Sequence, residues 1–180
     1  MSLSVLLGGA RSGKSSAAQA LAHALGRPVT YIATATPGDE EMAERIDRHR
    51  RERPAEWATV EEPLQLGDAL AQVADGDTVL IDCLTLWLSN MMGAGDSEPT
   101  ILTAAAKTAA LAARRQGATI AVTNEVGLGI VPANPLAREF RDLAGRVNRV
   151  WVEHSDRTGL VIAGRIMPLV ESSDWKESSQ

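Results

Sequence analysis

Gly8-Gly9-Ala10-Arg11-Ser12-Gly13-Lys14-Ser15 spells G-x-x-x-x-G-K-S; it follows the apolar run Leu3 to Leu7 and opens a stretch with helical spacing from Lys14 to Leu25. A glycine loop between a strand and a helix is the setting that gives this pattern a mechanism. The glycines let backbone N–H groups turn toward the β- and γ-phosphates of a nucleoside triphosphate, and the helix amino terminus adds a favourable dipole. Lys14 adds a point charge, and the Ser15 hydroxyl can ligate Mg²⁺. A glycine-rich turn that binds nothing would have little need of this strand-to-helix placement. Gly26 and Pro28 end the helix.

The rest of the chain repeats the alternation of short apolar runs with helical patterns. Val29 to Ala33 reads as a second strand, and Asp39 to Arg53 as a charged helix that must stop before Pro54. A short strand near Thr59 to Glu61 and a helix over Leu64 to Val73 follow. Gly76-Asp77 turns the chain into Thr78-Val79-Leu80-Ile81, an uninterrupted apolar strand of the kind buried on both faces, ending at Asp82. Gly93 to Pro99 reads as a loop and Thr100 to Arg115 as an alanine-rich helix. Thr119 to Val122 is a strand, and Asn134-Pro135 starts a helix that runs to about Glu153, because Asn caps and Pro is tolerated in the first turn. Leu160 to Ala163 supplies a late strand. This order implies βαβ units around a mostly parallel sheet, hence an α/β fold. The expected organisation is one domain over residues 1–170 with a polar tail over 171–180.

Composition narrows the function. The chain has 180 residues, of which 44% are hydrophobic, enough for one substantial core. A net charge of -5 gives no basic face for nucleic acid or an anionic membrane. The single cysteine, Cys83, excludes an internal disulfide and any multi-thiolate zinc site. The amino terminus reads as a first strand, not a signal peptide. The longest apolar run, Cys83 to Met92, is about half the length a bilayer helix needs. A soluble, cytoplasmic protein is expected.

Two further positions carry candidate chemistry. A carboxylate at the end of a buried strand serves the nucleotide-bound metal in P-loop proteins, and Asp82 stands there. The alternative is an ordinary strand-terminal Asp that caps the helix starting at Leu84, and the two roles are compatible. Of the three histidines, His23 and His154 have no company that suggests a site. His49 shares a helix face with Met42 and Ile46 at i, i+4 and i+7, with Arg45 and Arg53 about a turn away on either side. Guanidinium neighbours favour a neutral imidazole and would bind a triphosphate, and a neutral imidazole beside bound phosphate is a potential nucleophile. A half-buried histidine on a basic helix has the same spacing, so the residues leave both readings open. Asn124-Glu125, beyond a strand's carboxyl end, is likewise either a ligand contact or a turn held by side-chain hydrogen bonds.

Gly8 to Ser15, Tyr31-Ile32-Ala33-Thr34-Ala35, Arg45-Ile46 with His49-Arg50 and Arg53-Pro54, Trp57 with Glu61, Leu80 to Asn90, Val122 to Pro132 and Arg138 to Asn148 together make the sequence resemble one family. It is the bifunctional adenosylcobinamide kinase/adenosylcobinamide-phosphate guanylyltransferase family of cobalamin biosynthesis. The loop motif is shared by many NTPases, whereas Thr123-Asn124-Glu125-Val126-Gly127 with Gly129-Ile130-Val131-Pro132 is particular to this family. The resemblance implies a RecA-like P-loop sheet, Mg²⁺ as cofactor, GTP and ATP as co-substrates, and adenosylcobinamide and its phosphate as acceptors. It implies a guanylylated histidine at His49; Lys14, from the phosphate loop itself, is the other candidate catalytic residue. Nucleotide contacts would fall on Gly8, Gly9, Ala10, Arg11, Ser12, Gly13, Lys14 and Ser15, on Ala33, Thr34 and Ala35, on Arg50, Arg51, Glu52 and Arg53, and on Glu61 and Asp82. Metal contacts would fall on Ser15 and Asp82. A homo-oligomer, a trimer, is also implied. Some members carry a second histidine where this chain has Arg48, and some have Glu where it has Asp82.

Two other readings compete. A monofunctional P-loop kinase of small molecules would use the glycine loop without a covalent nucleotide. A RecA-like nucleotide-gated DNA-binding protein would need a basic surface and a polymerisation segment, and this acidic chain shows neither.

Overall fold

The computed structural model describes residues 3–38, 40–51 and 53–171, with only the backbone of Glu41 and Arg45. Strand β1 (Leu3–Gly8) shows how the apolar pattern makes two layers. Leu3, Val5 and Leu7 join one core cluster and Leu6 the other, because successive strand side chains leave opposite faces. The same division holds in β2 (Val29–Ala33), β4 (Thr78–Asp82) and β5 (Thr119–Asn124), which are buried on both faces. One face packs against α3 (Leu66–Gln72), α4 (Leu84–Gly93), α5 (Glu98–Arg114) and α6 (Pro135–Glu153). The other carries α1 (Lys14–Ala24) and Trp57.

With β3 (Ala58–Glu61), β6 (Arg157–Ile162) and β7 (Arg165–Leu169), the sheet runs β3-β2-β4-β5-β1-β6-β7. All neighbours are parallel except β6 and β7. The fold is α/β with a mostly parallel sheet between helices, as the alternation of elements implied. Strand β5 lies between β1, which leads into the glycine loop, and β4, which ends in Asp82. The carboxyl ends of these three strands therefore meet along one edge, where open α/β sheets bind ligands.

Several boundaries differ from the expected ones. The charged helix α2 spans Glu40–Arg51, while Asp39 and Glu52 lie outside the described residues, as does the tail over 172–180. The expected loop from Gly93 to Pro99 is much shorter. Helix α4 continues to Gly93 and α5 begins at Glu98, its start capped by Ser97 Oγ, which accepts from the Thr100 N–H at 3.4 Å. Pro99 sits in that first turn, where its missing N–H has no intrahelical acceptor to lose. The late strand spans Arg157–Ile162 and turns at Ala163-Gly164, both with positive φ, into β7, an edge strand the sequence reading passed over. Pro168 lies within it, and an edge strand tolerates a missing donor.

Among the described residues no helix is long and apolar enough to cross a membrane.

Candidate functional site

The glycine loop is held by steric necessity and by a contact from the far end of the chain. A Cβ on Gly8 would stand 2.7 Å from the carbonyl oxygen of Val161 and 2.6 Å from Ser12 Oγ, so only glycine fits. Gly13, at φ 91, lies where L side chains are strained, and its Cβ would stand 3.0 Å from Gly164 Cα. The Gly164 N–H donates to the Ser12 carbonyl at 2.8 Å, so the turn of the β6–β7 hairpin braces the loop. No side chain caps α1 at Gly13, which leaves first-turn amides to an anion. Lys14 is buried and donates from Nζ to the Gly9 carbonyl at 3.1 Å.

Asp82 accepts a hydrogen bond at Oδ2 from the Tyr31 hydroxyl at 2.8 Å. The Arg53 guanidinium lies 3.7 Å from the centroid of the same tyrosine ring. Burial, with Asp82 beside it, pushes the phenol's pKa far up, so the hydroxyl is a donor. The helix-cap reading of Asp82 does not hold. The residue at the cap position of α4 is Cys83, no side chain caps that helix, and the carboxylate is turned to Tyr31 instead. Burial, then Asp82, pushes the Cys83 thiol up to about 12, which keeps it protonated and inert at neutral pH. Thr34 is fully buried, donating from Oγ1 to the Cys83 carbonyl at 2.7 Å and accepting from the Cys83 N–H at 2.8 Å.

Helix α2 lies across this edge of the sheet. Its Met42, Ile46 and His49 are half-buried and, with Lys14, Ser15 and Asp82, line a cavity of ≈ 190 Å³. Ala33, Ala35, Arg50, Arg53, Glu61 and Asn124 complete the part of the wall that matters here. A second cavity of ≈ 440 Å³ is lined by Ala10, Arg11, Ser12 and Gly13 with Glu44 and Arg48. Lys14, Ser15 and His49 belong to both walls. Arg50 pairs with Glu61 and, at 3.5 Å, with Asp47, all on exposed side chains. Such a pair contributes little to stability and can open to an incoming phosphate. Arg53 Nε is buried without a hydrogen-bond partner.

Of the nucleotide contacts expected from the sequence, Gly8, Gly9, Thr34 and Arg51 line neither cavity. Gly8 and Thr34 shape the backbone, Arg51 is exposed, and Glu52 is outside the described residues. The pair Asn124-Glu125 divides: Asn124 lines the first cavity, whereas Glu125 Oε1 accepts the Gly127 N–H at 2.6 Å and closes a turn.

Sequence reasoning missed the buried network behind Asn124. The Thr123 hydroxyl donates to Asn148 Oδ1 at 2.6 Å and meets the Thr85 hydroxyl at 3.1 Å. Thr85 Oγ1 in turn accepts the Asn124 N–H at 2.7 Å, and Asn148 Nδ2 donates to the Asn124 carbonyl at 3.0 Å. Polar residues inside apolar runs were the available signal. Tyr31 was missed as well, and its being the chain's only tyrosine was the clue.

Among the described residues no group of three or more His, Cys, Asp or Glu side chains could hold a metal ion. Asp82 and Ser15 share a wall, which suits Mg²⁺, a cation bound by one or two protein groups together with substrate phosphates.

A sequence model of the family described as cobinamide kinase / cobinamide phosphate guanyltransferase matches residues 4–169. The chain is 45% identical over 166 residues to the bifunctional adenosylcobalamin biosynthesis protein CobP of Pseudomonas aeruginosa, covering 92% of this chain and 95% of that one. It is 40% identical over 173 residues to the bifunctional adenosylcobalamin biosynthesis protein CobU of Salmonella typhimurium, covering 89% of this chain and 95% of that protein. The same identity and coverage hold for CobU of Escherichia coli.

Proposed function

The chain belongs to the cobinamide kinase / cobinamide phosphate guanyltransferase family, and on that premise we propose that one edge of its sheet serves both reactions. It is a bifunctional transferase of cobalamin biosynthesis. In the first reaction the hydroxyl on the aminopropanol arm of adenosylcobinamide attacks the γ-phosphorus of ATP or GTP. The new O–P bond forms as the bond to the nucleoside diphosphate breaks, and the hydroxyl proton is released. The loop amides, Lys14 and Arg53 hold the triphosphate and meet the charge that develops on it.

In the second reaction a ring nitrogen of His49 attacks the α-phosphorus of GTP. An N–P bond forms, the P–O bond to pyrophosphate breaks, and pyrophosphate leaves with its charge. A phosphate oxygen of adenosylcobinamide phosphate then attacks the same phosphorus. The N–P bond breaks, returning the imidazole and giving adenosylcobinamide-GDP.

The observation that carries this reading is the position of His49 on the walls of both cavities beside Lys14 and Ser15. A histidine fixed only for packing would have no reason to border the phosphate loop twice. Ser15 and Asp82 would hold Mg²⁺, whose chemistry is to neutralise phosphate charge. Glu61 would exchange its arginine partner for the nucleotide. The acidic charge, the glycine loop and the buried thiol fit an enzyme of the cytoplasm with small-molecule partners and no nucleic acid.

Assembly of several copies is part of the same proposal. Leu21 of α1, Leu25 just after it, and Ile166 and Leu169 of β7 border a groove of ≈ 370 Å³, and all four are exposed. An apolar surface of that kind suits contact with a second copy.

Incubation with α-labelled GTP and Mg²⁺, followed by denaturation, tests the central step. Retained label that is acid-labile and base-stable is expected for a phosphorus–nitrogen bond. Absence of label under these conditions would leave a monofunctional kinase.

A further inference from the structure

Tyr31 is almost completely buried, with 2% of its surface exposed. It stands in the middle of β2, in register with Thr59 of β3 and Leu80 of β4, and its ring joins the cluster under α1. Its two ends make two different contacts. The hydroxyl donates to Asp82 Oδ2 at 2.8 Å, and the face of the ring carries the Arg53 guanidinium at 3.7 Å. Arg53 comes just after α2, the helix of His49, and its Nη1 also reaches Thr59 Oγ1 at 3.4 Å. One side chain thus touches the carboxylate that ends β4 and the arginine that follows the histidine helix.

A carboxylate at a strand end can rotate about two bonds, and Mg²⁺ demands near-ideal octahedral geometry of its oxygen ligands. A phenol bonded to one oxygen removes that freedom through a charge-assisted hydrogen bond and leaves the other oxygen available. The geometry points to Tyr31 as a positioning residue for both reactions: its hydroxyl aims Asp82 at the metal–triphosphate, and its ring seats Arg53 and the end of the His49 helix over the same site. This inference rests on the metal reading of Asp82. Were Tyr31 a core ring of the same kind as Trp87, loss of its hydroxyl would change stability and leave metal binding alone.

Mn²⁺ is the probe, and its binding to the protein–GDP complex is read by electron paramagnetic resonance. GDP affinity without metal and thermal melting are measured alongside. Y31F is expected to raise the Mn²⁺ dissociation constant by about threefold to tenfold, on the scale of one lost hydrogen bond. The Mg²⁺ concentration for half-maximal kinase activity should rise by a similar factor, with kcat at saturating Mg²⁺ and metal-free GDP affinity little changed. In a D82N background Y31F should have no further effect. Y31L, or Y31M if that variant melts more cooperatively, should form protein-bound GMP several-fold more slowly than Y31F. Unchanged Mn²⁺ affinity in Y31F overturns the aiming role, and equal rates of GMP attachment in the two kinds of variant overturn the seat. A D82N variant that binds Mn²⁺ as tightly as wild type removes the metal reading and this inference with it. Retained label in wild type would still leave the guanylyl step standing.

Discussion

Lys14 Nζ is held inside the glycine loop by the Gly9 carbonyl, so its charge is fixed before a phosphate meets it. Removing one such preorganised group costs a reaction on the order of 10²–10³ in rate. Lys14→Ala should show that loss in kinase turnover with a cooperative melt retained, and comparable turnover would make the loop decorative. Asp82 contributes a charge that an amide lacks. Asp82→Asn should lose most activity at limiting Mg²⁺ and recover part of it at high Mg²⁺, measured as rate against metal concentration. Full activity at limiting metal would move the role elsewhere, with Glu61 on the same cavity wall the next candidate. His49→Ala should divide the reactions, because in the proposed mechanism only guanylyl transfer passes through the imidazole. Kinase activity should persist while covalent GMP and corrinoid-independent exchange of pyrophosphate with GTP disappear. Covalent GMP on the variant would assign the nucleophile to another residue.

Elements bring these side chains together through contacts that contain no catalytic group. Thr85 of α4, Thr123 of β5 and Asn148 of α6 are all buried and satisfy one another and the backbone of Asn124. Such a network fixes the end of β5 opposite Gly8, its partner in register. Asn148→Leu leaves the Thr123 hydroxyl and the Asn124 carbonyl without this partner. It should cost about 2 kcal/mol of stability by chemical denaturation. A stability equal to wild type would show that the network is slack. The hairpin β6–β7 has a similar supporting role, since Gly164 holds the loop through Ser12.

At the scale of the whole molecule, the two faces of the sheet are unequally covered. Four helices pack on one face, whereas α1 and Trp57 are the main cover of the other. The apolar border of α1 and β7 is left at the surface. Assembly through this surface predicts that wild type sediments as an oligomer and that Leu169→Glu, which places a charge in the groove, shifts it toward the monomer. A monomeric wild type would retire the assembly reading.

The sequence by itself determined the layer order, because apolar runs of strand length alternating with helical spacing admit few other folds. It also determined the loop, whose glycines, lysine and serine are adjacent in the chain and need no tertiary contact to be recognised. Helix α6 was legible to the residue, since Asn134 and Pro135 are local signals for a helix start. What only the tertiary structure decided are the pairings between residues far apart in sequence. Tyr31 and Asp82 are separated by 51 positions and meet because β2 and β4 are neighbours. Gly164 braces a loop about 150 residues before it because β6 pairs with β1 and turns into β7. His49 was ambiguous on its own helix, where spacing defines a face and not what the face meets. Only the placement of α2 across the sheet's carboxyl edge sets that imidazole beside the phosphate loop.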